Sequence, residues 1–175
     1  MTQRPARFEA YPTDRFIEII KAWANHLWPM TSAEARELYE SLGYRAYTSK
    51  PELFISDFSQ IEPDSYVTTH NDCVGDARIS VSRPFDTVTP QNTDTISCTF
   101  SDYCAAIEDK LKDTISHRRI ERNAIRWTLR NGVDIRLAKL SRNISVFIGS
   151  PRMTQLRREE EEMGLTSYDE FLGDD

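Results

Sequence analysis

The chain has 175 residues, with 22 basic against 28 acidic side chains and a formal net charge of −6. That balance argues against a general nucleic-acid binder, and the length suffices for one domain, residues 1–175, that buries its own core without metal or disulfides. Cys73, Cys98 and Cys104 are an odd number without CxxC spacing, and no apolar run reaches membrane-spanning length. Together with a polar, non-signal-like start, this predicts a cytoplasmic protein with reduced thiols and no membrane partner.

Residues 1–12 read as a tail, with Phe8 and Tyr11 as docking points. Phe16, Ile19, Ile20, Trp23 and Leu27 fall on one helical stripe, which predicts a core-facing helix over 14–28 capped by Thr13 and ended by Pro29. Thr31 and Glu34 match a capping box before a second helix that ends at Gly43. Residues 44–48 and 53–58 read as an antiparallel pair, and 77–81 as a third strand. The stretch 59–76 reads as mostly loop, with an extended piece at 66–69, and 83–99 as a long loop. A helix then starts near Ser101, and 116–122 is a basic linker.

The clearest signal is the meander over 124–149. Ile125, Trp127 and Leu129 alternate with Arg126, Thr128 and Arg130, and Val133, Ile135 and Leu137 alternate with Asp134 and Arg136. A two-residue Asn131-Gly132 loop would mix apolar and charged faces. A three-residue loop pairs Leu129 with Val133 and Trp127 with Ile135, so that all the apolar side chains share one face. The expected turn is therefore type I with Gly132 left-handed in a G1 bulge. The same register sets Arg126 beside Arg136, which costs repulsion on a face open to water or else makes the place where an acidic partner or helix lies. Ile144, Val146 and Ile148 form the third strand, with Phe147 on the arginine side. After Pro151 comes an acidic helical segment, 151–175, with a second capping-box match at Ser167 and Glu170.

The expected fold class is α+β: an antiparallel sheet of two three-strand segments with flanking helices, in the order α-α-β-β-β-α-β-β-β-α. Candidate chemistry is thin. His70-Asn71-Asp72-Cys73 is the most enzyme-like cluster, yet an ordinary loop explains it better. No zinc spacing, phosphate loop or nucleophile motif occurs, so no catalytic residue, metal or cofactor is assigned. The surfaces singled out for a protein partner are Asp86 and Asp94 in the long loop and Arg126, Arg136 and Phe147 on the sheet. To these are added Glu159, Glu160, Glu161 and Glu162 in the acidic run and Asp169 beyond it.

Phe16 to Trp28 followed by Pro29-Met30-Thr31, then Leu42-Gly43-Tyr44, Ile125-Arg126-Trp127-Thr128-Leu129 and Ser150-Pro151, resemble a family of small actinobacterial proteins of unknown function. The element order is similar to secretion-chaperone folds, and small acidic proteins of this kind are often immunity factors. The resemblance implies a non-catalytic binder. Its partner would be a cognate toxin domain, which it inhibits, or, alternatively, a secreted client that it holds.

Overall fold

The computed structural model describes residues 8–164. It has an α+β fold. Strand β1 (Glu9–Ala10) leads into helices α1 (Thr13–Asn25) and α2 (Ser32–Ser41). Strands β2 (Arg45–Ala46), β3 (Leu53–Ile55), β4 (Ser65–His70), β5 (Cys73–Ser80) and β6 (Ser82–Arg83) follow. Helix α3 (Pro90–Lys110) precedes strands β7 (Ile115–Glu121), β8 (Ala124–Leu129), β9 (Asp134–Lys139) and β10 (Ile144–Gly149), and helix α4 (Pro151–Glu162) comes last. Eight strands form one antiparallel sheet in the order β2-β3-β4-β5-β10-β9-β8-β7, and β1 pairs separately with β6.

Two apolar layers meet on one side of this sheet. Trp127, Ile135, Ile148, Ala77 and Val67 are cross-strand neighbours along one row, and all are buried. The amphipathic helices supply the other layer: Phe16 of α1 stacks on Tyr103 of α3 at 3.8 Å between ring centroids, and Trp23 meets Tyr39 of α2 edge-on at 4.9 Å. Tyr39 is fully buried, and its hydroxyl donates to the carbonyls of Tyr66 and Arg78 (3.1 and 2.7 Å), which satisfies a polar tip inside an apolar layer. Thr31 closes the expected capping box with Glu34. The leading residues also dock as expected: Phe8 packs edge-on against Phe85, and Tyr11 lies tilted against Phe58.

The β8–β9 turn has the three-residue form. Trp127 pairs with Ile135 and Ile125 with Leu137, while the Leu129 N–H donates to the Val133 carbonyl at 2.8 Å and Gly132 has φ +91°. Asn131 donates to the Ala24 carbonyl at the end of α1, and a side chain at Gly132 would meet Pro151 at 3.0 Å. One turn thus fixes a register and touches the helices on both sides of the sheet.

Four segments depart from the sequence reading. Helix α1 ends at Asn25, so Leu27, expected on its buried stripe, is 84 % exposed, and Thr13 makes no side-chain cap. The supposed loop 83–99 is a short connection pinned by buried Phe85, and α3 begins at Pro90. Thr89 accepts from the Asn92 N–H, and proline suits a first helical position, so capping chemistry starts a helix whose polar first turns show little periodicity. The basic linker 116–122 is mostly strand β7, seven residues at the edge of the sheet. Residues 59–76, read mostly as loop, contain β4 and the start of β5, joined through Asn71 and Asp72 at φ 52° and 60°. Two left-handed residues are what a two-residue type I′ hairpin needs, so the His70-to-Cys73 cluster is a turn. The end-helix expected around Ser167, Tyr168, Asp169 and Glu170 lies outside the described residues.

Replacing Gly132 tests the turn. Gly132→Ala forces a β-carbon into a left-handed position against Pro151, with an expected loss of about 1–3 kcal/mol in urea unfolding. A loss below about 0.3 kcal/mol would show that the turn tolerates a side chain.

Candidate functional site

Facing away from the core, the sheet carries one row of charge. Reading the pairings across, Tyr66 on β4 neighbours Arg78 on β5, then come Phe147 on β10, Arg136 on β9, Arg126 on β8 and Arg119 on β7. The next row holds Thr68, Asp76, Gly149, Asp134 and Thr128. Like charges directly opposite one another are unfavourable in a sheet, so Arg126 beside Arg136 requires compensation.

Two carboxylates provide it, each shared by two arginines. Glu121, at the end of β7, takes the Arg126 Nε at 3.0 Å and the Arg136 Nε at 3.1 Å. Asp134, only 3 % exposed, accepts from Arg126 Nη1 at 3.2 Å and from Arg157 of α4, while Thr128 donates to its other oxygen at 2.7 Å. Phe147 sits between Arg78 and Arg136, whose guanidinium carbons lie 5.7 and 5.4 Å from its ring centroid. Such cation–π contacts are worth about 0.5–1 kcal/mol each at exposed sites.

The electrostatics follow from this sharing. Burial alone would raise the Glu121 pKa, but Arg126 and Arg136 outweigh it and hold the carboxyl below its ordinary 4.5. Burial opposes the charge on Arg126 too, and Glu121 with Asp134 more than restores it. Arg157 goes the other way: burial and then the neighbouring Arg126 lower its pKa, and Asp134 offsets that only in part.

Helix α4 lies along this face and turns it into a cleft of about 390 Å³. The floor includes Arg126, Arg136, Phe147 and Asp134, and α4 contributes Met153, Leu156, Arg157 and Glu160. Ser150 caps the helix by accepting from the Met153 N–H, and Pro151 occupies its first turn. Thr154 is its one buried residue, so α4 is a mostly exposed wall.

Of the partner-binding candidates, Arg126, Arg136, Phe147 and Glu160 come together in this cleft. Glu161 pairs with Arg119 at 2.9 Å, Glu159 accepts from Gln155, and Glu162 is exposed near the end of α4. Asp86 and Asp94 are exposed on the connection before α3 and in its early turns, and neither lines the cleft. Asp169 lies outside the described residues. Sequence reasoning did not assign Glu121, Asp134, Arg157 or Arg78 to the site. The alternation that exposed Arg126 also placed Asp134 on the same face, and that was the available signal. Among the described residues, no group of three or more His, Cys, Asp or Glu is placed to hold a metal ion, and no helix is long and apolar enough to cross a membrane.

The class defined by this fold and face is an α+β domain whose sheet carries an ion-paired arginine cleft walled by an exposed helix. The profile of DUF6301, a family of unknown function, matches residues 14–150, and the chain belongs to that family. Neither a curated protein nor a solved structure matches the chain.

A pH titration tests the carboxylate sharing. A carboxyl whose folded pKa is depressed stabilises the fold fully above its unfolded value and stops doing so as pH falls through the folded one. Glu121→Gln leaves two arginines facing each other, with an expected loss of about 2–4 kcal/mol at neutral pH. That gap to the unsubstituted protein should narrow as pH falls below 4.5. A gap unchanged down to about pH 3 would show that Glu121 acts by packing alone.

Proposed function

We propose that this is a non-catalytic, cytosolic binding protein of the immunity type, which seats on a folded toxic domain of a partner protein and blocks its active site. The observation that carries the reading is the cleft on the outer sheet face, where Phe147 lies between two arginines under a wall of exposed acidic helix. Arginine and aromatic side chains dominate the energetics of protein interfaces, and here they are already positioned by ion pairs, which reduces the entropy lost on docking.

The same ion pairs argue for binding over catalysis. A general acid or base works best with a pKa near the working pH, whereas Glu121 is driven down and away from neutrality by its two arginines. Glu160, in the cleft, and Glu159 and Glu162, beside it on α4, make an exposed anionic ridge. Such a ridge complements the basic active site of an enzyme that acts on a negatively charged substrate.

The test is capture by the tagged full-length chain in its native host, with bound proteins identified by mass spectrometry. One stoichiometric partner with a folded domain is expected, whose toxic activity falls when this protein is added. Phe147→Ala should weaken that complex at least about tenfold. Joint replacement of Glu159, Glu160 and Glu162 by alanine should slow association, most clearly at low salt. Asp86→Ala and Asp94→Ala, outside the cleft, should change little. Undiminished capture by both cleft variants would remove the cleft and its ridge from the interface.

A further inference from the structure

From the edge of the eight-stranded sheet we infer a second interaction surface, on β7, that takes an extended acidic segment of a partner protein as an added antiparallel strand. This is independent of the cleft. The two edges of the sheet differ in kind: β2 has two residues, while β7 has seven and, among the described strands, pairs with β8 alone. Alternate residues of an edge strand turn their N–H and C=O groups outward, ready to continue the ladder. Residues 116–120 are all exposed, and Ile120 is 69 % exposed, an unusual outlay of β-branched surface on a strand that no described strand covers on its outer side.

Charge selects the occupant. His117, Arg118 and Arg119 are consecutive on the strand. A second copy paired through a two-fold axis at Arg118 would set Arg118 against its own equivalent, and like charges opposite one another are unfavourable. The basic run therefore protects the edge from self-association, as charged edge strands commonly do, while remaining complementary to an acidic strand. The cross-strand pairings put Arg118 and Ile120 on the face shared with Trp127 and Ile125, and Arg119 on the face of the arginine row. Arg118 already pairs with Glu108, and Arg119 with Glu161, so both guanidiniums are oriented beside carboxylates. A matching segment carries acids at the positions facing these arginines and an apolar residue beside Ile120. Main-chain hydrogen bonds supply affinity, and this pattern of side chains supplies specificity.

A probe that separates strand addition from simple charge attraction is a capped peptide about nine residues long, with two adjacent glutamates flanked by valine in an otherwise valine- and threonine-rich strand, enough to span β7. Backbone amide spectra and hydrogen exchange of the full-length chain are recorded as it is added. The expected result is binding below about 1 mM, with spectral changes centred on residues 115–121 and slowed exchange at alternate β7 amides. The lysine-for-glutamate peptide should not bind. The glutamate peptide N-methylated at alternate residues along one edge should bind at least about tenfold more weakly, as should the original peptide to the Arg118→Glu variant, whose fold is checked by circular dichroism.

Equal binding by the N-methylated peptide would overturn the inference in favour of bare charge attraction. No binding by the glutamate peptide, or changes centred outside β7, would also overturn it. So would outward β7 amides that are protected before any peptide is added, because the chain or a second copy would then already fill the edge.

Discussion

The register of the β8–β9 hairpin is the constraint on which the rest depends. With Leu129 closing against Val133 across a three-residue turn, every large apolar side chain of the two strands falls on one face. Strand geometry then leaves no choice about the other face: Arg126 must stand beside Arg136. A carboxylate has to reach that pair, and Glu121 does so from the end of the adjoining strand. Asp134, two residues from Arg136 on the same side of the strand, takes up the remaining reach of Arg126 and gives α4 its ionic anchor through Arg157. A packing preference on one face thus becomes an electrostatic problem on the other, and solving it attaches a helix.

Much of this was legible in the sequence where apolar periodicity coincided with turn chemistry. Asn131-Gly132 between alternating runs yields the register, and Thr31 with Glu34 yields a helix start. Strand β7 was not legible because an edge strand exposed along residues 116–120 needs no apolar alternation, so its arginines resemble a linker. The first half of α3 was hidden for a related reason: only Ile96 is buried there, and the helix begins from a cap and a proline. The β4–β5 hairpin turns on Asn71-Asp72, which lacks the glycine that makes such a turn conspicuous.

The candidate site divides along the same line. Arg126, Arg136 and Phe147 could be placed on one face from alternation within neighbouring strands. Arg78 joins them only through β5, which is remote in sequence from β8 and β9, and Arg157 only through a helix folded back over the sheet. Residues 14–150, the span of the family match, contain the whole charged floor, whereas the helical wall follows it.

Helix α4 is held to the sheet chiefly by charge rather than by oil. Near its start, Pro151 rests against the β8–β9 turn and Thr154 is buried; midway, Arg157 reaches the nearly inaccessible Asp134; towards its end, Arg119 and Glu161 meet in the open. Added electrolyte screens exposed pairs far more than buried ones. Raised ionic strength is therefore expected to weaken the attachment of α4 at its acidic end before its root.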